Sequence, residues 1–449
     1  MTDDKIDLFA PFKRLEPLDL SDEVAAGKPA DGYEFADSVK ENWRLARHFV
    51  LRVLPPLDGG GIASDSGKSV QVVVQGTSAL MLSIVRQIAL VAHYPNFDER
   101  TGRGCTRITL LYDRLRVKDI DALLGHEEYL ANLPKYCRCV YSRWGDGHTE
   151  GKMTRNENSF VDIELDLIGF DDLAESERYI GLLDADVLVL REQEVKDRLA
   201  SVEEEDLHRV DIRDARRVNM VYCVGSDIDN LPPDDPNTAD RYSRALHYFC
   251  YQQTPEDTLS QWRSFFSHGE VRGQVALRNV YSNVCCADCF DSRLRSVLTP
   301  AGFKRASRKD RLRRWKMRWC SRYASILSKK DGEAYDAEEV KWLLTHEYRR
   351  VLQMVKDQLP MLSRSEHARW VTEKLLLGFS PLDEGERLRD EQCFGAGKRA
   401  YRKQLKSRKD SPRHIDLCSY HDLRRINPED MKYDSFLMMA MTWIVRCRE

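Results

Sequence analysis

The sequence has no long apolar run and no apolar leader. It opens on the acidic stretch Met1-Thr-Asp-Asp-Lys, and the apolar runs near Val70–Val74 and Leu437–Val445 are short and interrupted. A bilayer-spanning helix needs about 20 predominantly apolar residues, and a secretory leader needs an apolar core behind a basic start. We therefore expect a cytoplasmic protein without a membrane span.

The sequence also lacks an excess of charge of either sign. Its 70 Lys and Arg residues are balanced by 73 Asp and Glu residues, which leaves a formal net charge of -3. A chain so nearly neutral has no general attraction to polyanions, so nucleic acid is a disfavoured partner and any attraction must come from a local patch. The 449 residues, 42% of them hydrophobic, suffice for two or three domains with real cores.

Known catalytic motifs are missing too. The chain has no GxSxG, HExxH or Walker A motif, and its 11 histidines are dispersed. Its 12 cysteines are scattered and are expected to be reduced. The CCADC cluster of Cys285, Cys286 and Cys289 lacks the second ligand pair of a zinc site, so buried thiols are favoured over a metal. We expect a non-catalytic protein, although a site assembled from distant residues stays open.

The first half of the chain alternates strand and helix patterns. After a helical pattern at 35–54, a β-branched run at 69–75 is followed by an apolar helix capped at Thr77 or Ser78, and then by a second strand that ends at Asp113. Further strands are predicted at 137–142, 160–170, 186–190 and 219–227. This alternation predicts the fold class α/β: a Rossmann-like parallel sheet domain, followed by a mainly helical domain.

A dinucleotide site would lie after the first strand. The GxGxxG fingerprint is incomplete, because Gly76 supplies the first glycine while Ser78 and Met81 replace the others. This half resembles the TrkA-N type of Rossmann domain over about residues 69–230, and the resemblance implies a regulatory domain that binds a nucleotide such as NAD. The candidate cofactor-binding residues are Gly76, Thr77, Ser78 and Asp113, with Asp113 on a ribose. A structural domain without a dinucleotide is an equal alternative.

Two blocks near the C-terminus carry the most specific pattern. The segment at 359–382 predicts a helix from Leu362 to Leu377 that Gly378 terminates, with Ser363 and Glu366 as a capping box. The block at 413–445 predicts a short extended piece, a turn, and a helix capped by Asn427 with Pro428 in its first position.

These blocks resemble the RyR domain, the repeat first known from ryanodine receptors, over about residues 338–446. The matching residues are Glu366, His367, Trp370, Lys374, Gly378, Phe379, His414, Asp416, Leu417, Tyr420, Leu423, Pro428, Glu429, Lys432, Tyr433 and Asp434. The chain departs from the pattern at Ile415, at Cys418-Ser419, and in a long basic insert at 380–413. The resemblance implies ligand binding, and RyR domains joined to TrkA-N-type domains in prokaryotes look like sensors in nucleotide-signalled antiphage defence.

The residue types in these blocks suit a planar, phosphorylated ligand. The candidate ligand-binding residues are His367, Trp370, Lys374, His414, Tyr420, Tyr433 and Asp434. Their aromatic rings could stack on a base, Lys374 and His414 could meet a phosphate, and Asp434 could accept from a hydroxyl or a ring NH. Alternatively, Trp370, Tyr433 and His367 are core residues that hold two helices together.

The resulting organisation has four parts. We predict an N-terminal arm and helix at 1–68, a Rossmann-like domain at 69–254, a helical connector at 255–337 and an RyR-like domain at 338–449. The connector contains a basic amphipathic segment at 304–322 whose role stays open. The predicted function is non-catalytic sensing of a nucleotide-derived ligand, with an effector protein or a second copy as partner. The alternatives are an NAD-dependent enzyme, and an interaction scaffold or potassium-transport regulator.

Overall fold

The computed structural model describes residues 37–125, 130–156, 159–203, 218, 282–297, 358–408, 411–431, 433–435 and 437–438. The predicted strand at 219–227, the basic segment at 304–322 and most of the predicted connector lie outside these residues. No helix among the described residues is long and apolar enough to cross a membrane.

A six-stranded sheet forms the centre of the first half. In chain order its strands are β1 (Gln71–Gln75), β2 (Thr106–Asp113), β3 (Arg138–Gly145), β4 (His148–Arg155), β5 (Ile163–Phe170) and β6 (Leu188–Arg191), and their spatial order is β4-β3-β5-β2-β1-β6. All neighbours are parallel except the β3–β4 hairpin at one edge. The predicted α/β, Rossmann-like sheet is therefore confirmed.

Helices flank the sheet in the described part of the first half and the connector. The α-helices are α1 (Asp37–His48), α2 (Ala79–Val91), α3 (Ile120–Gly125), α4 (Ser176–Ile180), α5 (Glu192–Ala200) and α6 (Phe290–Val297). A π-helical turn at Phe49–Val53 continues α1, and 3-10 turns lie at Leu130–Lys135 and Leu173–Glu175. Nearly all of α2 is buried because it packs between the sheet and other helices, which explains its almost continuous apolar sequence.

The edge hairpin was not predicted. Strand β4 is exposed along almost its whole length and its sequence, HTEGKMTR, has no apolar alternation. The turn that joins it to β3 places Asp146 and Gly147 at positive φ, a conformation that favours these two residue types. A strand that buries neither face leaves little signal in the hydrophobic pattern.

The C-terminal half is built on the long helix α7 (Leu359–Leu375). It is followed by β7 (Ser380–Pro381), α8 (Glu384–Gln392), α9 (Gly395–Lys406), β8 (Arg413–His414) and α10 (Tyr420–Ile426), and then by a 3-10 turn at Pro428–Asp430. Strands β7 and β8 pair in parallel, with Pro381 opposite His414. The basic insert at 380–413 thus forms a helical hairpin.

Two local predictions in this half were wrong. Helix α7 begins at Leu359, with Pro360 in its first turn, so Ser363 and Glu366 lie inside the helix and form no capping box. The predicted turn before Asn427 is helix α10, which Ser419 caps by accepting from the Asp422 N–H at 3.0 Å. A Ser followed three residues later by Asp is an ordinary N-terminal signal that the sequence already carries.

One hydrophobic core joins the two halves. Buried residues of β1, β2, β5 and α2 belong to the same cluster as Val371, Leu375 and Phe379 of the C-terminal half, and Cys285 and Cys289 belong to it too. The long helix α7 therefore packs directly on the sheet domain.

Candidate functional site

The carboxyl end of β1 is the point at which the strand order reverses. Chain connections from β1 lead to β2 on one side, and β6 lies on the other, which is the arrangement in which open α/β sheets bind ligands. Gly76 follows β1 with φ +110, a conformation that a residue with a side chain rarely adopts. A Cβ atom there would lie 2.8 Å from Glu192 Oε2, so the Glu192 carboxylate rests directly against the loop.

Ser78 and Asp113 are both occupied in capping their own turns. Ser78 Oγ accepts from the Met81 N–H at 3.5 Å and confirms the predicted helix start, while Met81 is fully buried. Asp113 Oδ1 accepts from the backbone N–H groups of Leu115 and Arg116 at 2.8 and 3.2 Å, and Oδ2 pairs with Arg116 Nε at 3.2 Å. A ribose would compete with these contacts.

Polar side chains also connect the ends of β1 and β6. Gln75 Nε2 donates to Ser176 Oγ at 2.6 Å and to Glu177 Oε1 at 3.2 Å, while Arg191 makes a two-pronged pair with Glu177 at 2.8 and 2.9 Å. These contacts tie helix α4 to the crevice. Arg191 pairs with Glu177 and Lys196 pairs with Glu192 at 2.6 Å, so a pyrophosphate at this edge of the sheet would compete with existing ion pairs.

The C-terminal half brings most of its predicted residues into one cluster around Trp370. The His367 ring stacks near Trp370 with centroids 6.0 Å apart at 23°, and the His414 ring meets Trp370 edge-on at 4.8 Å. Lys374 Nζ lies 5.7 Å from the Trp370 ring centroid. The indole packs against the shared core but stays partly exposed. An aromatic ring flanked by a cation and two imidazoles suits a planar anionic ligand.

His367 is buried and held from both sides. Its Nε2 donates to the Cys418 carbonyl oxygen at 3.0 Å, and its Nδ1 lies 3.5 Å from Asp434 Oδ2. Burial opposes the charged ring, but the hydrogen bonds to Asp434 and to Cys418 outweigh it and raise the pKa of His367 to about 10. Burial also raises the pKa of Asp434, although the facing imidazolium opposes this shift. The protonated His367 ring is therefore a fixed cation, and it positions the Trp370 ring beside it.

His414 differs from His367 in charge. Burial, together with the positive charges of Lys406 and Lys374, holds the pKa of His414 well below its usual range. Its Nδ1 accepts from the Asp416 backbone N–H at 3.2 Å, so the neutral ring carries its proton on Nε2. The β7–β8 pairing fixes this ring beside Trp370 and Phe379. His414 is therefore a neutral hydrogen-bonding group.

Lys374 is the outermost member of a buried charge network. Its Nζ lies 2.7 Å from Glu373 Oε1, and Glu373 Oε2 lies 2.6 Å from Arg369 Nη1. Arg369 pairs with Glu366 at 2.8 Å, and Glu366 pairs with Arg293 of α6 at 2.6 Å. The four inner groups are at most 2% exposed, while the Lys374 side chain is 13% exposed. Helical spacing accounts for the pairs of Arg369 with Glu366 and Glu373, but it could not reveal the pair with Arg293, which is far from α7 along the chain.

The remaining predicted residues are Tyr420, Tyr433 and Asp434. The Tyr420 ring lies 5.6 Å from His367, Tyr433 is partly exposed on the helical residues 433–435, and Asp434 is buried behind His367. Among the predicted residues, Trp370, Lys374, Tyr420 and Tyr433 are partly exposed, whereas His367, His414 and Asp434 are buried. Phe379, which was not among the predicted site residues, lies 6.4 Å from His414.

The cysteine cluster belongs to the core. Cys285, Cys286 and Cys289 are at most 1% exposed, and burial raises the pKa of each thiol, that of Cys289 to about 12. In the described part of the chain, no group of three or more His, Cys, Asp or Glu side chains is arranged to hold a metal ion.

Comparison with family models, curated proteins and solved structures finds no match to this chain.

Proposed function

We propose that the protein is a non-catalytic sensor whose C-terminal half binds a planar, phosphorylated, nucleotide-derived ligand at the cluster of Trp370, Lys374, His414, Tyr420 and Tyr433. The observation that carries the proposal is the environment of Trp370. Its partly exposed indole has a cation 5.7 Å from the ring centroid and an uncharged imidazole 4.8 Å away. The resemblance to the RyR domain supports the same half of the chain and suggests a role in antiphage signalling.

Each group has a distinct part in binding. Trp370 and Tyr420 offer ring faces for stacking on a base. Lys374 offers a charge to a phosphate, and the neutral His414 ring donates from Nε2. His367 and Asp434 do not contact the ligand, because the His367 ring is bonded to the Cys418 carbonyl through Nε2 and faces Asp434 through Nδ1; the two residues hold the Trp370 end of α7 against Cys418 and the segment around Asp434.

The two alternatives have less support from the geometry. The scaffold alternative predicts that Trp370 and Tyr433 are fully buried with no adjoining cavity, and both side chains are partly exposed. An NAD-dependent enzyme requires a pyrophosphate at the Gly76 loop, against which the Glu192 carboxylate lies. We therefore place the ligand in the C-terminal half and give the sheet domain a regulatory part.

Ligand capture tests the proposal. The full chain is purified, denatured, and the released small molecules are identified by mass spectrometry. Lys374→Gln is compared with Lys403→Gln, which removes an exposed lysine from α9. We expect a phosphorylated, ring-containing compound from the unaltered protein and from Lys403→Gln, and a several-fold smaller amount from Lys374→Gln. Equal recovery from both variants would exclude this site.

A further inference from the structure

Both helices that carry the cluster, α7 and α10, contact the sheet domain through one of their ends. Helix α10 begins with Tyr420, and the N–H groups of Tyr420 and His421 donate to the two oxygens of Glu99 at 2.9 and 3.2 Å. Glu99 lies more than 300 residues away in the loop between α2 and β2. A carboxylate is the group that a helix N-terminus prefers, because it satisfies open N–H groups and opposes the positive end of the dipole.

The other end of the cluster has the complementary arrangement. The Leu376 carbonyl at the end of α7 accepts from Arg86 Nη2 at 3.4 Å, and the Leu375 carbonyl accepts from Asn132 Nδ2 at 3.2 Å. Arg86 lies on α2 and Asn132 lies before β3, so both donors belong to the sheet domain. Open carbonyls at a helix C-terminus favour donors and positive charge.

The loop that presents Glu99 is itself held in shape. Asp98 N donates to the Arg103 carbonyl at 2.9 Å, and Gly102 N donates to the Asp98 carbonyl at 2.8 Å. Gly104 has φ +77, and a Cβ there would lie 2.7 Å from the Asn96 carbonyl oxygen. The loop therefore presents the Glu99 carboxylate from a structured base.

We infer that the sheet domain holds the candidate ligand site in shape by capping two of its helices, with Glu99 at the start of α10 and Arg86 and Asn132 at the end of α7, so that a change in either half is transmitted to the other. This inference rests on the proposed function for the identity of the site. A ligand that moves α7 or α10 would lengthen the hydrogen bonds from these helix ends to Glu99, Arg86 and Asn132. The movement would thereby reach the sheet domain. The coupling is reciprocal, as any linkage between two sites must be.

Hydrogen exchange read by mass spectrometry on the full chain tests the inference without any ligand. Glu99→Ala removes the cap, and Glu99→Gln keeps an oxygen acceptor but no charge. Arg100→Gln, at a side chain that is 91% exposed in the same loop, is the matched control. In Glu99→Ala we expect amides of 420–426 to exchange about fivefold faster, the factor of one lost capping interaction. Amides of β2 should be unchanged, and Glu99→Gln should fall between.

Two further variants test the second cap and the direction of coupling. Asn132→Ala should speed exchange in the last turn of α7. Tyr420→Pro removes the N–H that donates to Glu99 and suits the first position of a helix, so it should speed exchange at the Asp98 and Gly102 amides across the interface. Tyr420→Ala keeps that N–H and is the matched control. Unchanged exchange at 420–426 in Glu99→Ala, or at Asp98 and Gly102 in Tyr420→Pro, would overturn the inference. Failure to capture a nucleotide would leave these results unaffected, so the two proposals fail separately.

Discussion

His367 donates through Nε2 to the carbonyl oxygen of Cys418 at 3.0 Å, and this contact ties the middle of α7 to the segment just before α10. A carbonyl oxygen can only accept, so the Nε2 proton is fixed, and Asp434 faces the opposite nitrogen at 3.5 Å. The imidazolium is therefore a structural cation between two elements of the candidate site.

Replacing His367 with Gln should change how stability depends on pH. The pKa of His367 is raised to about 10 in the folded chain, so its contribution is complete below the unfolded pKa near 6.5 and is lost as the pH rises towards 10. We expect the free energy of unfolding of the unaltered protein to fall by roughly 2–4 kcal/mol more than that of His367→Gln over this window. Urea denaturation at pH 6, 8 and 10 measures the difference.

His421→Gln is the control for this experiment, because its side chain is exposed. Parallel pH curves for the unaltered protein and His367→Gln would show that the His367 ring is not charged in the folded state.

Replacing Asp416 should raise stability where replacing His367 lowers it, although both groups make stability fall as the pH rises. Burial and the neighbouring Asp430 raise the pKa of Asp416 to about 7, so the folded chain binds a proton that the unfolded chain has released, and stability falls as the pH rises from about 4 to 7. Asp416→Asn keeps an oxygen that can accept from Asn427 Nδ2, which lies 2.8 Å from Asp416 Oδ1. We expect this variant to be about 1–3 kcal/mol more stable than the unaltered protein at pH 8.

A second aspartate, Asp390, provides a control because its pKa is shifted in the opposite direction from that of Asp416. Asp390 accepts from Arg402 through both oxygens at 2.7 and 2.9 Å, and these contacts, against the effect of burial, hold its pKa below the usual range. Asp390→Asn should lower stability at pH 8. Destabilisation by both substitutions in thermal or urea melts would contradict the assignment for Asp416.

Removing Glu366 should be among the most damaging single changes. It is 1% exposed and lies between Arg293 and Arg369 at 2.6 and 2.8 Å, so Glu366→Gln leaves two buried guanidinium groups without their shared carboxylate. A loss of roughly 3–5 kcal/mol in the free energy of unfolding is expected. Glu391→Gln, at an exposed position on α8, should stay within about 0.5 kcal/mol. Similar urea midpoints for the two variants would refute the network's importance.

Gly76→Ala should strain the end of β1. Its φ of +110 disfavours any side chain, and the added Cβ would meet the flexible Glu192 carboxylate at 2.8 Å. We expect a loss of about 1–3 kcal/mol in the free energy of unfolding. Adding Glu192→Ala to Gly76→Ala should restore only the part of this loss that comes from the steric contact. Gly67→Ala, with open space around it, should be close to neutral. Full recovery of stability in the double variant would show that the whole loss comes from the contact with the Glu192 carboxylate, and would contradict a contribution from the backbone conformation of Gly76.

The sheet could be predicted because its buried strands carry the signal themselves. Val72, Val73 and Val74 are buried on both faces, which produces the continuous apolar run of a parallel strand. Strand β4 has no such pattern, since its residues are exposed. Helix α10 was missed because the apolar content of 420–426 is low, although Ser419 and Asp422 carried its capping signal.

The candidate site could be predicted only in part. Spacing on one helix places His367, Trp370 and Lys374 together, since residues three, four and seven positions apart share a face. The contacts of Glu99 with α10 and of Arg293 with α7 join residues far apart in the chain, and no local pattern encodes them. The different charges of His367 and His414 likewise depend on neighbours that only the folded chain assembles.

Thermal shift of the full chain against a panel of nucleotides and cyclic nucleotides tests the sensor account most directly. A binding compound should raise the melting temperature in a concentration-dependent way, since a ligand stabilises the state that binds it. The shift should disappear in Trp370→Ala and weaken in His414→Ala, while Arg100→Gln should retain it. A shift that survives in Trp370→Ala, or no shift with any phosphorylated ring compound, would contradict the account.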